Sequence, residues 1–158
     1  MKKNTRRKFI AGAVPAVALA AAPAEARQGA AQPPPKRVYR KLAPTSETFA
    51  GQPLYSPELS FGNLVFVSGK GAGVDAKGDI TEQAKNVLDQ IEESLKIAGS
   101  SMDRVLKVNV YLTDIKNFEG MNKAYINRFG AEPPVRTTVA VTALPDGSLV
   151  EIDCIGHL

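Results

Sequence analysis

Arg136 and Glu151 are the two residues whose types and surroundings best suit them to act together. Pro133 and Pro134 fix an extended lead-in. Arg136, Thr138, Ala140 and Thr142 then alternate with Thr137, Val139 and Val141 in the period-2 pattern of a strand. Leu144 to Ser148 contains Pro145, which fixes φ, and Gly147, which tolerates positive φ, so a turn is expected to return Leu149 to Ile155 as an antiparallel hairpin partner. One sheet edge would then carry both Arg136 and Glu151. An arginine fork holds a carboxylate through two parallel N–H bonds. A carboxylate beside a water can take its proton and return one to a leaving amine. From spacing alone, a surface or interface ion pair is the commoner use of such an arginine, and a structural ion pair an equally good use of the glutamate. If Ala140 stands opposite Glu151, Arg136 lies four residues further along, roughly 13 Å of strand. Either the side chains lean across that gap or a neighbouring subunit completes the pocket.

Other chemistries are limited by scarcity. Cys154 is the only cysteine and His157 the only histidine. No intrachain disulfide can form, and one chain cannot assemble a zinc site from the usual His/Cys set. A nucleophile–histidine pair would have to use the penultimate residue, around which there is no local motif. Carboxylate, arginine, tyrosine, hydroxyl and backbone groups are left to do the work, with no cofactor.

Residues 1–26 read as a signal peptide: five basic residues within Met1 to Lys8, a small apolar run from Phe9 to Ala24, and Ala24-Glu25-Ala26 as a cleavage site. Arg6-Arg7 followed by Phe9 and Ile10 resembles a twin-arginine export signal, with an ordinary secretory signal as the alternative. A periplasmic protein without lasting membrane attachment is expected, since no later apolar run approaches the ~20 residues of a span. The chain has 20 basic and 16 acidic residues, of which five and one fall in this segment, so residues 27–158 balance at fifteen of each. Overall charge therefore gives no support for nucleic-acid binding.

Residues 27–35, rich in alanine, glutamine and proline, read as a flexible lead-in, and 36–158 as a single domain. Lys36 to Lys41 predicts a first strand and Ala43 to Pro53 a loop. Leu54 to Leu59 and Leu64 to Gly69 predict a hairpin about Gly62-Asn63. Asp79 and Glu82 have capping-box spacing, and Ala84, Val87, Leu88, Ile91, Leu95 and Ala98 form one helical stripe ending at Gly99. Val105 to Leu112 predicts a strand with Leu106, Val108, Val110 and Leu112 inward. Asn117 to Phe129 predicts a second helix with Phe118, Met121, Tyr125 and Phe129 inward. This order predicts an α+β two-layer sandwich, with two helices on one face of a mostly antiparallel sheet. The uncovered sheet face favours self-association.

The run from Pro133 to Asp153 closely resembles the C-terminal signature of the Rid (YjgF-like, reactive intermediate deaminase) family, and the resemblance extends over about Val38 to Ile155. It implies a Rid-like (chorismate-mutase-like) fold, three subunits around an axis with clefts between neighbours, and metal-free hydrolysis of small 2-imino acids to 2-keto acids and ammonia. It implies catalytic roles for Glu151, Arg136 and Thr138, and substrate binding by Arg136, Tyr55, Ser68, Gly69 and Asn122. The chain departs from the family pattern at Leu54 (usually Pro), Pro57 and Lys70 (usually Gln), and Thr138 (often Cys). Those changes bear on the substrate more than on the reaction. A non-catalytic module binding small carboxylates is the alternative, and an endoribonuclease, reported for some relatives, is a weaker one.

Overall fold

The computed structural model describes residues 36–39 and 48–158. The signal peptide, the lead-in and residues 40–47 of the expected first strand and loop lie outside the described residues.

The longest helix among the described residues, α1 (Ile80–Ile97), begins as its sequence demands. The Asp79 carboxylate accepts from the Thr81 and Glu82 amides at 2.8 and 3.0 Å, while Glu82 accepts from the Asp79 amide at 3.1 Å. Gly99, with φ of +83°, follows the last turn. Ala84, Val87, Leu88, Ile91 and Leu95 are fully buried, each large side chain contributing roughly 2 kcal/mol by leaving water. Beneath this stripe lies a six-stranded sheet in the order β1 (Arg37–Tyr39), β4 (Glu58–Phe61), β5 (Leu64–Gly71), β8 (Val150–His157), β6 (Val105–Leu112), β7 (Val135–Ala140). Val65 and Val67 of β5, Val108, Val110 and Leu112 of β6, and Val150, Ile152 and Cys154 of β8 complete the core on the helix-facing side. A separate hairpin joins β2 (Thr48–Phe49) to β3 (Gln52–Pro53), inside what the sequence suggests is loop. The fold is the expected α+β two-layer sandwich with a mostly antiparallel sheet.

The C-terminal hairpin is not formed. β7 pairs with β6, in parallel, and β8 runs antiparallel between β5 and β6, so β6 separates the strands of Arg136 and Glu151. They do not share a sheet edge. The cause lies upstream: α2 (Phe118–Tyr125) carries the chain from the end of β6 back to its start, and a strand following such a crossover runs parallel to the one before it. Residues 141–149 then pass over the end of β6. The Val141 amide donates to the Leu112 carbonyl at 2.8 Å, and the Thr113 amide to the Leu149 carbonyl at 3.1 Å. Pro145, Asp146 and Gly147 do turn the chain, with Asp146 and Gly147 at positive φ, but within this crossing.

Two smaller expectations also change. α2 stops at Tyr125, well short of Phe129. Ile126 is extended and Asn127 has φ of +63°. The departing chain lets Arg128 reach Asp89 and Glu92 of α1 at 2.8 and 3.3 Å while Phe129 still stacks on Tyr125, centroids 4.7 Å apart. Phe118 is partly exposed rather than inward. In β6, an irregularity between Val105 and Lys107 turns Leu106 outward, and Val105 takes its place in the core.

Replacing Asp79 by alanine removes the single oxygen that accepts both cap bonds from Thr81 and Glu82; urea denaturation should show a loss of about 1 kcal/mol with an unchanged m-value.

Candidate active site

Glu151 faces the side of the sheet away from the helices, because it alternates with the buried Val150 and Ile152. Its strand is pinned at the start by α1, where the buried Gln83 side chain accepts from the Leu149 amide at 2.9 Å. On β5, opposite Asp153 and two residues along from the Gly71–Glu151 pair, the ladder is irregular. Val67 pairs with Cys154 and Lys70 with Ile152, so Ser68 and Gly69 together face the single Asp153. This is a β-bulge, a device that bends a strand and re-aims its groups. The absence of a side chain at Gly69 is structural: a Cβ there would overlap the Glu151 carboxylate. Gly71 likewise leaves room for Ser148, whose hydroxyl accepts from the Ala72 amide at 2.9 Å.

These groups line an open cavity of about 510 Å³, together with Tyr55, Lys70 and Gln90. The Ser68 hydroxyl is buried and makes no hydrogen bond among the described residues. Gln90 donates to the Gly71 carbonyl at 3.0 Å, holding the cavity rim to α1. Burial, and secondarily the charge of Asp153, raises the proton affinity of Glu151 above the ordinary carboxylate range. A half-buried carboxylate of raised pKa lining an open cavity is suited to accept and return a proton.

Arg136 lies elsewhere. Its register partner Val108 is in the core, so Arg136 faces the helix side, opposite to Glu151. Glu151 stands level with Tyr111 and Val139, three residues along β7 from Arg136. The two strands are separated by about 10 Å laterally. The guanidinium sits over the rings of Tyr125 and Phe118, 4.5 and 5.5 Å from their centroids, and makes no ion pair among the described residues. Thr138 follows on the same face, and its hydroxyl and that of Tyr125 are buried and unbonded. Burial pushes the Tyr125 phenol up to about 12 against the opposing influence of Arg136, so it stays a donor. Asn122 opens with Tyr125 and Pro133 onto a second cavity of about 490 Å³. Of the expected site residues, Glu151, Tyr55, Ser68 and Gly69 therefore come together, while Arg136, Thr138 and Asn122 lie on the other side of the sheet.

Gln83, Gln90 and Ser148 were not among the residues singled out by sequence. Two glutamines on the polar border of an amphipathic helix and a serine in a turn carry no motif. Cys154 is buried in the core, its thiol pushed up to about 12 by burial and then by Asp153, which suits packing rather than nucleophilic attack.

Residues 45–158 match the family model described as endoribonuclease L-PSP, and the chain belongs to that family, which is the Rid/YjgF group. It is 40% identical over 108 residues to a RutC family protein of Pyrococcus abyssi, covering 65% of this chain and 85% of the relative. It is 34% identical over 123 residues to a rat protein named 2-iminobutanoate/2-iminopropanoate deaminase, covering 75% and 90%. Among solved structures, a Rid family protein of unknown function from Yersinia pestis superposes with a TM-score of 0.68 at 31% identity, covering 78% of this chain and all of that one.

Raising the Glu151 pKa costs the folded state: its relative stability is present below the ordinary value of 4.5 and is lost as pH rises through the folded value. Glu151→Gln should accordingly raise the melting temperature at pH 7, with the gain disappearing near pH 4. Gly69→Ala should instead displace the carboxylate and lower the melting temperature at both.

Proposed function

We propose that the protein hydrolyses small 2-imino carboxylic acids to 2-keto acids and ammonia. The observation that carries this reading is the half-buried Glu151 carboxylate, held against Gly69 in an open cavity that Ser68 and Tyr55 also line. The name of the rat relative supports it. Glu151 takes a proton from water as the water oxygen bonds to the C=N carbon, and passes that proton to the imine nitrogen to give the carbinolamine. Glu151 then takes the carbinolamine hydroxyl proton and delivers it to nitrogen as the C–N bond breaks and C=O forms, releasing ammonia and the 2-keto acid. Ser68 and Gly69 line the reacting centre, and Tyr55 bounds it.

The substrate carboxylate needs a cation, and we assign it to the partner subunit's Arg136. In this reading Arg136, with no ion pair among the described residues, and Thr138, with an unbonded hydroxyl, meet the Glu151 cavity of the next subunit in a homotrimer, and Asn122 borders the same cleft. Two surfaces that cannot meet within one chain become one site. No cofactor is required. The family description names an endoribonuclease, but the even charge of residues 27–158 and a single, penultimate histidine favour the imine reading. The binding-module alternative uses the same cleft without turnover. The first 26 residues support export to the periplasm, without membrane attachment after cleavage, which cell fractionation tests directly.

The reaction is measured as keto-acid release from 2-iminopropanoate and 2-iminobutanoate generated in situ by an amino-acid oxidase. Acceleration over spontaneous hydrolysis is expected, falling by 10²-fold or more in Glu151→Gln. In Arg136→Ala, kcat/KM should collapse. Absence of acceleration by folded protein would contradict the proposal, and retained keto-acid binding in that case would identify the binding module.

A further inference from the structure

We infer that Asp153 is a positioning residue for Glu151, a fixed negative neighbour that sets the pH range over which the Glu151 carboxylate exchanges protons. The inference rests on the reading of Glu151 as the acid–base group. Residues 151 and 153 lie on one face of β8, about 7 Å apart along the strand. Asp153 is clamped from β6: Asn109 donates its side-chain amide to Oδ1 at 2.8 Å, and Tyr111 its hydroxyl to Oδ2 at 3.1 Å. Both carboxylate oxygens are engaged by neutral donors. Asp153 thus has acceptors satisfied and a fixed direction, yet no cation among these partners to cancel its charge. Tyr111 is also the register partner of Glu151, so the clamp spans the two acidic positions.

The other groups around Glu151 do not offer the same influence. From β5 come Lys70 and the side-chain-free Gly69 and Gly71; ahead of β4 stands Tyr55; the turn before β8 brings Asp146; α1 contributes the neutral Gln90. Tyr111 is a neutral phenol whose proton affinity is raised by burial, then by the charge and hydrogen bond of Asp153 and by Glu151. Beyond burial, Asp153 is the neighbour that raises the Glu151 proton affinity. A like charge favours the protonated form, and a carboxyl that must take a proton and hand it back works best when its pKa lies closer to the working pH. The clamp keeps that like charge at a constant place.

The test is a ¹³C NMR titration of the Glu151 carboxyl in the purified wild-type protein and in Asp153→Asn, beside the pH profile of imine hydrolysis. The Glu151 midpoint is expected to fall in Asp153→Asn, with the acid limb of kcat/KM falling equally. Asp153→Glu, which keeps the charge, should retain the wild-type midpoint. Should the asparagine variant not fold, Asp153→Thr supplies a neutral residue with strong strand preference and a hydroxyl acceptor, and should show the same fall. An unmoved midpoint in a folded neutral variant, or an equal fall in Asp153→Glu, would overturn the inference. The NMR midpoint is read without turnover, so a protein that does not hydrolyse imines still decides the question.

Discussion

The placement of β6 between β7 and β8 is the constraint on which the rest of the site depends. Side chains one residue apart on a strand point to opposite faces, and register partners share a face. With Val108 beside Arg136 and Tyr111 beside Glu151, the arginine and the glutamate cannot meet on one surface of one chain. No rotamer bridges that arrangement, because a hydrophobic sheet lies between them. The arginine is instead supported by aromatic faces, a setting that keeps its fork directed.

On the glutamate side, the fold spends a strand irregularity and a glycine to create room. The bulge at Ser68 and Gly69 interrupts an otherwise regular ladder beside the central strand, and the carboxylate occupies the volume a Cβ would need. The surrounding ties all originate in α1 or the turn before β8: Gln83 to the start of β8, Gln90 to the end of β5, and Ser148 to Ala72. The helix is anchored in turn by the deepest part of the core. Packing therefore fixes the position of the Glu151 carboxylate, and burial together with Asp153 raises its proton affinity.

The local features were legible in the sequence because they are set by neighbouring residues. The capping box at Asp79 and Glu82, the stripe of α1, the turn at Gly62 and Asn63, and the alternation around Glu151 depend on side chains within a turn or a strand of one another. The pairing of β7 was not legible. Pro145 to Gly147 has the chemistry of a hairpin turn, but a turn only reverses the chain, and the choice of partner is made by α2 returning Val135 beside Lys107. The early end of α2 was hidden for a similar reason, since Tyr125 and Phe129 keep helical spacing while Arg128 is drawn to Asp89 and Glu92 of a distant helix. The resemblance to the Rid family carried the pairing of roles for Arg136 and Glu151, which geometry within the chain does not supply.

The central claim, that a working site takes its glutamate from one subunit and its arginine from another, is tested most directly by subunit complementation. Arg136→Ala and Glu151→Gln chains, each inactive alone, are unfolded together in equal amounts, refolded and assayed for imine hydrolysis. A shared site predicts recovery to about a quarter of wild-type activity, because random mixing places an intact arginine beside an intact glutamate at that fraction of interfaces. Refolded mixed assemblies that remain as inactive as the separate variants would contradict the account.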